Sequence, residues 1–441
     1  MRPPPMSNRR RSPAARPHAS RVLLATATAL VATAAALLVG GCGLEVTNPN
    51  AATEQAVLTT PVGVRTAAVG LQGRFGNALE HAVWVPGVIA GELGTLTNSQ
   101  SQQREFQRFP NAALNADIQT VNFDLLAFWA RQYQVVRAAD DVLASVERVT
   151  LAPGTRAGVT ALARALRAQA LGTLAEAWRQ IVLDPSGEDP PFVDRATALA
   201  RVLALLAQAR TDLAAQPPSA EFTSQILLPG IDLPNTIRAW QARWSLAAGQ
   251  YEAALTFANE VPPTAASEYR FSTVDQNPIW GAITANRYFG ATAALRADAE
   301  PGDTRLARLV GATPIDSLGG TRTLAVQLYR NPGDAVPLWT QDELTLIRAE
   351  AHARLGRLPQ AIGEINRVRQ GAGLAPRTGG ELATQAAVLD EILRQRRVSL
   401  FLTGQRWADL RRFGRTAEAR VEWLRYPEQE RASNRNTPPD P

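Results

Sequence analysis

Aromatic side chains that lie outside the long apolar repeats are the residues of this sequence best suited to binding chemistry. They occur in stretches rich in glycine, proline and amide side chains, where an aromatic ring is less often needed for the core. These residues are Trp84, Trp280, Tyr288, Phe289 and Tyr329. Flat rings stack on the apolar C–H faces of sugar rings, while neighbouring polar groups hydrogen-bond the hydroxyls. Asn286 and Arg287 stand next to Tyr288 and can supply such polar groups. The pattern indicates a ligand-binding surface, and the alternative for each ring is packing beneath its own loop.

Groups that could serve catalysis or bind a metal are few. The chain has one cysteine, Cys42, and three histidines, of which only His81 and His352 lie beyond the N-terminal region. We expect His352 to be structural on a helix and His81 to be a loop residue. No glycine-rich phosphate loop, His-rich metal spacing or nucleophile elbow is present. The sequence therefore predicts a protein that is not an enzyme, with no cofactor and no metal-ligating residues that can be named, and it leaves open whether a metal ion is bound. A carboxylate pair for glycoside hydrolysis stays open, because such a pair is defined by a distance in space.

The setting of Cys42 explains why a lone cysteine is present. Six arginines and no acidic residue precede it, and an apolar run over residues 22–39 leads into two glycines and Cys42. This order is typical of a bacterial lipoprotein signal, in which small residues admit the signal peptidase and the cysteine thiol receives a lipid. Residues 1–41 are then the signal peptide, and residues 42–61 are a lipid-anchored polar tether. An uncleaved transmembrane anchor is the alternative, because a run of 18 apolar residues is just long enough to span a bilayer.

Net charge argues against one class of partner. The chain carries 46 basic residues, all of them arginine, against 40 acidic ones. Removal of the signal peptide takes away six arginines and leaves 40 basic residues facing 40 acidic ones. A chain this close to neutrality has no general electrostatic attraction for nucleic acid.

Apolar residues repeat with helical spacing through most of the chain. They predict a short helix over Val62–Leu79, a pair over Asp117–Val149 and Thr155–Trp178, a helix around Leu199–Leu213, a pair over Ile237–Val261 and a last pair from Asp342 onward. Aromatic residues at helical positions are expected to lie in the core: Trp129, Tyr133, Trp178, Trp240, Trp244 and Trp407. The stretch that begins at His81 is irregular and predicts a surface recognition loop.

The last two helical pairs share one turn design. Gly249 and Ala254 are placed in the first of them as Gly356 and Ala361 are in the second, which suits tetratricopeptide units that need neighbours to stack on. Residues 262–338 interrupt this array with prolines, glycines and only short apolar runs. The predicted fold is therefore mainly α, with tetratricopeptide-like helical pairs and one large irregular, loop-rich subregion for ligand binding.

The segment Asp342–Phe413 carries a family resemblance. Its stretches LIRAEAHARLG, AIGEINRVRQGAGL and GQRWADLRRF resemble the C-terminal signature of the SusD/RagB outer-membrane nutrient-binding lipoproteins. Signature positions that stand as the family's motif has them are Arg396, Arg397, Leu400, Gly404, Arg406, Trp407, Asp409, Leu410 and Arg412. Gln395, Ser399 and Thr403 stand where relatives usually carry Glu, so some ion pairs around Arg396 and Arg406 are expected to be missing or rebuilt. The motifs WARQYQVVRAADDVL and ALRAQALGTLAEAW also resemble early helices of the family, which extends the resemblance over most of residues 62–441.

The resemblance implies a role and partners. It implies a lipid-anchored protein of the outer membrane, facing the cell exterior, that captures an oligosaccharide or a peptide and delivers it to a SusC-like TonB-dependent transporter. A tetratricopeptide scaffold lipoprotein that organises envelope proteins is the alternative, and a secreted helical hydrolase is a third class. A scaffold should keep a regular groove, so the interruption over residues 262–338 favours the ligand-binding role. The last run, Val421–Pro441, resembles the family's closing segment and predicts an extended surface strap.

Overall fold

An array of antiparallel α-helices, each packed on the next, forms the scaffold of the protein. The computed structural model describes residues 58–96, 123–316 and 322–441, so Cys42, the predicted signal and the part of the predicted recognition loop beyond residue 96 lie outside the described residues. The first helices are α1 (Pro61–Ile89), α2 (Phe123–Arg148), α3 (Pro153–Ala177), α4 (Arg195–Ala215), α5 (Leu233–Ala247) and α6 (Tyr251–Asn259). Successive members pack side by side from α1 to α6, which confirms the helical pairs that the apolar spacing predicts.

Helix α1 extends beyond its predicted end. Its N-terminus is capped by the Thr60 hydroxyl, which accepts a hydrogen bond from the Gly63 N–H at 3.0 Å. The helix ends at Ile89 rather than at Leu79, and the whole of its last part, Val83–Ile89, is buried. A helix segment without a polar face has no readable apolar period, so the prediction of an irregular stretch from His81 onward was wrong for residues 81–89.

Pro86 inside α1 creates a docking point for the C-terminal signature. Because proline has no N–H, the carbonyl of Ala82 receives no helical hydrogen bond from position 86. Gly404 packs against this carbonyl with a left-handed backbone, and a Cβ at position 404 would overlap the Ala82 oxygen. Glycine is therefore required where the signature meets the first helix.

The segment between α6 and the next long helix holds strands and short helices, and we call residues 262–338 the insertion. Its elements are β4 (Glu268–Tyr269), α7 (Pro278–Trp280), a π-helical turn (Gly281–Ala285), β5 (Phe289–Thr292), α8 (Ala294–Asp298), α9 (Arg305–Leu309), β6 (Val310–Asp316), β7 (Arg322–Val326) and β8 (Val336–Pro337). The scaffold contributes β1 (Leu93–Thr95), β2 (Gln180–Val182) and β3 (Phe192–Asp194). The prediction of a region without long helices is confirmed, but its description as merely irregular missed a sheet.

That sheet has four strands in the order β1-β5-β7-β6, and all of its pairings are antiparallel. Strand β1 follows directly from α1 and pairs with β5, with Leu93 opposite Ala291. Strand β5 pairs with β7 on its other side, with Ala291 opposite Leu324. Two ribbons complete the strands, β2 with β3 and β4 with β8. The first helix is thus joined through β1 to the sheet of the insertion.

The scaffold resumes after the insertion. Its remaining helices are α10 (Gln341–Arg354), α11 (Leu358–Gly371), α12 (Gln385–Ser399), α13 (Arg406–Arg412) and α14 (Glu428–Ser433). Helix α10 packs against α6, although the insertion separates them in sequence, and the stacking continues through α11 and α12. Gly249 and Gly356 occupy the two short turns with φ of 74° and 75°, so the shared turn design predicted for the two pairs is confirmed.

The signature of α12 and α13 is held by a network of buried ions. Arg396 donates to Asp409 at 2.8 Å, and Arg412 donates to Asp409 and, through two nitrogens, to Glu350 of α10, each at 2.8 Å. Burial opposes the ionisation of Asp409, but attraction by Arg396 and Arg412 outweighs it, so the pKa of Asp409 is lowered. The carboxylate therefore stays charged and joins three helices.

Two of the three uncommon signature residues, Gln395 and Ser399, bond an arginine that lies outside the signature. Arg305 of α9 donates to the amide oxygen of Gln395 and to the hydroxyl of Ser399, both at 2.8 Å. Ser399 in turn donates to Asp342 at 2.6 Å, and Gln395 donates to Glu391 at 2.8 Å. A neutral amide and a hydroxyl thus link the insertion to the scaffold at these two positions.

The C-terminal run is anchored to the scaffold rather than extended along its surface. Leu424 and Tyr426 are buried, and helix α14 follows them. Trp178 of the first helical pair donates its indole N–H to the Arg425 carbonyl at 3.0 Å. The prediction of an extended surface strap was therefore wrong for residues 424–433. The described residues contain no helix with the length and apolar character needed to cross a bilayer.

The predicted core tryptophans are confirmed. Trp129, Trp178, Trp240, Trp244 and Trp407 are all buried in one continuous core that the scaffold shares with the insertion. Tyr133 packs at its edge, and its hydroxyl bonds both the N–H and the carbonyl of Val182. The helices consequently use their own rings for packing.

Candidate ligand-binding surface

Trp280 is the aromatic ring of the insertion that packs least on the core. Its side chain is half-buried, yet it is not among the described residues that pack against the main core, and no described ring stacks on it. Exposed polar residues surround this part of the chain, and the group, which we call the Trp280 surface, consists of Trp280, Asn286, Arg287, Tyr288, Arg330 and Asn331. An indole face beside amides and guanidinium groups suits a ligand with both apolar and hydroxyl faces.

Asn277 fixes the position of Trp280. This buried asparagine accepts hydrogen bonds from the N–H groups of Ile279 and Trp280 at 2.8 and 3.2 Å, which caps the short helix α7. Its side-chain amide donates to the Asp334 carbonyl at 2.8 Å, and its own N–H donates to the Pro332 carbonyl at 2.7 Å. One residue therefore ties residues 277–288 to the loop 327–334.

Two further bonds close the contact between these segments. The Trp280 indole N–H donates to the Arg330 carbonyl at 3.2 Å, and the Thr284 hydroxyl donates to the Tyr329 carbonyl at 2.8 Å. The loop itself is closed by Asn331, whose N–H donates to the Asp334 carboxylate at 2.9 Å. That bond, more than the side-chain bond from the same asparagine, lowers the pKa of Asp334. The edge of the indole is thus occupied by protein, and the ring face is left for other partners.

Strained backbone is concentrated at this place. Only four described residues other than glycine have a positive φ, and two of them are Arg287 (52°) and Tyr329 (54°). A side chain in the left-handed region costs about 1–3 kcal/mol and is retained where the surrounding structure demands it. Here it turns Arg287 outward, where it is exposed and has no ion pair among the described residues.

The structure separates the five predicted aromatic residues into three groups. Trp280 and Tyr288 belong to the surface. Trp84 and Phe289 are only 2% and 1% exposed and stack on each other with ring centroids 4.6 Å apart. Their prediction as ligand-stacking rings is corrected, because the pairing of β1 with β5 buries both of them.

Tyr329 forms the third group, because it lines a cavity instead of the Trp280 surface. The cavity has a volume of about 580 Å³ and lies between the scaffold and the insertion. Its walls include Phe75 and Trp240 from the scaffold and Val336 from the insertion. Burial raises the pKa of Tyr329 well above its ordinary value.

Sequence reasoning missed Arg330 and Asn331. They precede Pro332 and Gly333, a dipeptide that signals a turn, and this signal could have placed them at a loop tip. Their closeness to Trp280 depends on hydrogen bonds across about 50 residues, which no local pattern predicts.

The described residues offer no group of three or more His, Cys, Asp or Glu side chains arranged to hold a metal ion. His81 is buried in α1, and its Nδ1 lies 3.2 Å from a guanidinium nitrogen of Arg131 and 3.6 Å from a Glu80 oxygen. The prediction of His81 as a loop residue was therefore wrong, and it is a structural contact between α1 and α2.

A superhelix of tetratricopeptide-like helical pairs that carries a sheet and an aromatic surface on one insertion defines the class of this protein. The fold is similar to that of a SusD superfamily protein from Bacteroides thetaiotaomicron, with a TM-score of 0.66 and 17% identity over 86% of this chain and 98% of that one. It is similar to a SusD-like carbohydrate binding protein from Bacteroides vulgatus, with a TM-score of 0.67 and 16% identity over 85% and 97% of the two chains. It also resembles the surface glycan-binding protein A from Bacteroides thetaiotaomicron, with a TM-score of 0.64 and 14% identity over 87% and 99%.

These likenesses show the fold, and the sequence of the C-terminal part adds the family. Residues 343–440 match the family model SusD_RagB, which describes the SusD family. The C-terminal part of the chain is therefore similar to the SusD family, and the fold of residues 58–441, where the structure describes them, is similar to that of SusD-like proteins. No curated protein matches it.

Proposed function

We propose that this protein is a lipid-anchored nutrient-binding protein of the outer membrane, which captures an oligosaccharide on the Trp280 surface and delivers it to a SusC-like TonB-dependent transporter. The observation that carries the proposal is an indole ring held by Asn277 and left without a ring partner among the described residues. The match of residues 343–440 to the SusD family supports it, and two proteins of similar fold are described as a carbohydrate binding protein and a glycan-binding protein. Peptide is the alternative ligand, since a guanidinium and amides also bind peptide carbonyls.

Arg287 and Asn286 complete the chemistry of the surface. Both are exposed, and Arg287 has no ion pair among the described residues, so its donors are available for hydroxyl or carbonyl oxygens. Tyr288 is half-buried and meets Phe289 edge to face, with centroids 6.4 Å apart. We assign Tyr288 the role of a second, partly packed ring at the edge of the site.

A matched pair of tryptophan variants tests the binding surface. Trp280→Ala should fold normally and weaken oligosaccharide binding by about 5- to 30-fold, because a lost stacking ring removes ~1–2 kcal/mol. Trp84→Ala removes the same side chain from a buried position and should lower the free energy of unfolding by ~3–5 kcal/mol. A glycan array identifies a ligand, and calorimetric titration with thermal melts then compares the variants with the parent.

Two outcomes contradict this assignment. Unfolding of the Trp280→Ala variant would show that the ring is part of the core, and unchanged affinity would show that the ligand binds elsewhere. Binding of peptides but of no glycan would retain the surface and change the ligand class.

The anchor is tested separately through Cys42. The arginine-rich start, the apolar run and the Gly-Gly-Cys order support its lipidation. Cys42→Ala should no longer incorporate an alkyne-tagged fatty acid and should appear as a soluble protein or an unprocessed precursor. If the variant is processed and fractionates with membranes as the parent does, the lipoprotein assignment fails.

The tetratricopeptide scaffold remains the competing role. It predicts a regular groove, whereas the helical array is interrupted between α6 and α10 by a sheet and loops. The elaborated insertion therefore supports the ligand-binding role.

A further inference from the structure

The cavity beside Tyr329 has the properties of a second binding site. Its volume of about 580 Å³ falls within the range of small-molecule sites, ~300–1,000 Å³. Apolar side chains supply much of its wall, including Phe75, Phe128, Trp240, Val336 and Leu338. Arg308 and Pro337, which also line it, are exposed, so the cavity reaches the surface at their side.

Tyr329 is the unexplained polar group of this wall. Its hydroxyl has no hydrogen-bond partner among the described residues, although its carbonyl is held by Thr284. The left-handed backbone of Tyr329 costs about 1–3 kcal/mol and is retained where the surrounding structure demands it. Burial also raises its pKa, so the neutral hydroxyl is kept as a donor at ordinary pH. A hydroxyl without a protein partner, on a residue that lines the cavity, is available to a ligand.

The charges along the cavity are nearly all compensated. Arg243 pairs with Glu343 at 2.6 Å, and Arg396 pairs with Asp409 at 2.8 Å. Arg308 is different, since it lines the cavity but has no ion pair among the described residues. Asp334 also lines the cavity without an ion pair among the described residues, but its carboxylate accepts hydrogen bonds from the N–H and the side-chain amide of Asn331. Arg308 is therefore the charged side chain of the described wall that has neither an ion pair nor a hydrogen-bond partner, and it lies on the exposed side of the cavity.

We propose that this cavity binds a small apolar molecule that carries one anionic group, such as an aromatic or aliphatic carboxylate or sulfonate. The apolar body lies among the rings, the Tyr329 hydroxyl donates a hydrogen bond to the ligand, and Arg308 attracts the anionic group. The site is separate from the Trp280 surface, whose indole does not belong to the cavity wall.

Fluorescent probes of matched shape test this site on the mature chain. The anionic probe is 1-anilinonaphthalene-8-sulfonate, and the neutral probe is N-phenyl-1-naphthylamine, which lacks the sulfonate. We expect saturable one-to-one binding of the anionic probe. Arg308→Gln should weaken the anionic probe several-fold and leave the neutral probe unchanged. Tyr329→Phe keeps the ring and should weaken the anionic probe by about 5- to 10-fold, the value of one lost hydrogen bond.

A blocking variant and a surface variant serve as controls. Ala335→Trp places a large ring in the cavity wall at a partly exposed position and should reduce the binding of both probes. Trp280→Ala should leave both probes bound as in the parent, while it weakens oligosaccharide binding. Tyr329→Phe should show the reverse behaviour, so the failure of one site is distinguishable from the failure of the other.

Thermal melts accompany each titration, because these probes also bind partly unfolded chains. Probe binding that is unchanged in both Tyr329→Phe and Ala335→Trp would overturn the proposal. It would also be overturned if the parent bound no probe, or if binding appeared only in variants with a lowered melting temperature.

Discussion

Burial of the Glu92 carboxyl group makes the stability of the protein depend on pH. It follows the end of α1, is only 2% exposed, and neither of its side-chain oxygens has a hydrogen-bond partner among the described residues. Burial raises its pKa to about 8, against a weaker opposing attraction by Arg406 and Arg397. At neutral pH the folded protein therefore holds a proton on Glu92 that the unfolded chain releases.

This proton makes stability depend on pH in a defined window. Protonation of Glu92 makes its full contribution to the free energy of unfolding below about pH 4.5, and this contribution is lost as the pH rises to about 8. Glu92→Gln removes the titration, so the variant should match the parent at pH 5 and exceed it by roughly 2–4 kcal/mol at pH 8.5. Urea unfolding at these two pH values measures the difference. Parallel pH profiles for the two proteins would mean that Glu92 is paired and ionised in the fold.

Single residues of the ligand surface could be predicted only in part. Trp280 and Trp84 both lie in stretches rich in glycine and proline, and nothing local distinguishes them. Pairing of β1 with β5 decides that Trp84 is buried against Phe289, and that pairing joins segments about 200 residues apart. Tyr329 was identified as an unusual aromatic residue, but its direction depends on a left-handed backbone that the sequence does not mark.

At the scale of elements, the contact between α10 and α11 depends on small side chains. Ala361 is fully buried in a cluster with Ala349 and Ile365. Ala361→Leu should overpack this contact and lower the free energy of unfolding by ~1–3 kcal/mol. Gly363, two residues further along the same helix, is exposed, and an added Cβ would meet no atom within 4 Å. Gly363→Ala should therefore raise the free energy of unfolding by ~0.5–1 kcal/mol.

Thermal and urea unfolding of the two variants provide the measurement. Opposite signs at positions 361 and 363 would support the orientation of α11. An Ala361→Leu variant as stable as the parent would show that this face of the helix is not in contact with α10.

Helices were predictable here and strands were not, for a physical reason. Helices of 14 to 29 residues, such as α10 and α1, span enough turns for their apolar spacing to be read. The strands of the insertion have two to seven residues, and β5 is buried at all four positions, so it shows no alternation. The sheet is therefore a product of contacts between distant segments.

For the whole molecule, the important feature is that the insertion leaves and rejoins the scaffold at one place. Gln341, the first residue of α10, donates its side-chain amide to the carbonyls of Pro262 and Ala265 at 3.0 and 2.9 Å. The two ends of the insertion therefore meet, and α6 packs on α10 as if the chain were continuous.

This closure predicts that the insertion can be exchanged. In the chimera, the insertion and the strand equivalent to β1 both come from the carbohydrate binding protein of Bacteroides vulgatus. This chimera should keep the helical circular dichroism of the parent. Its glycan-array profile should follow the donor of the insertion. A folded chimera that retains the parent's ligand preference would place the specificity in the helices.

The insertion also delays the packing of α6 on α10 while the chain is being synthesised. Helix α6 is complete at Asn259, but its partner α10 begins only at Gln341, about 80 residues later. At ~5–20 residues per second, the ribosome needs roughly 4–16 s to supply that partner. Throughout this interval α6 packs on α5 but lacks α10, its other neighbour in the finished protein. The nascent chain therefore exposes an apolar helix face that can aggregate, for a time proportional to the length of the insertion. A longer insertion would require longer protection by chaperones.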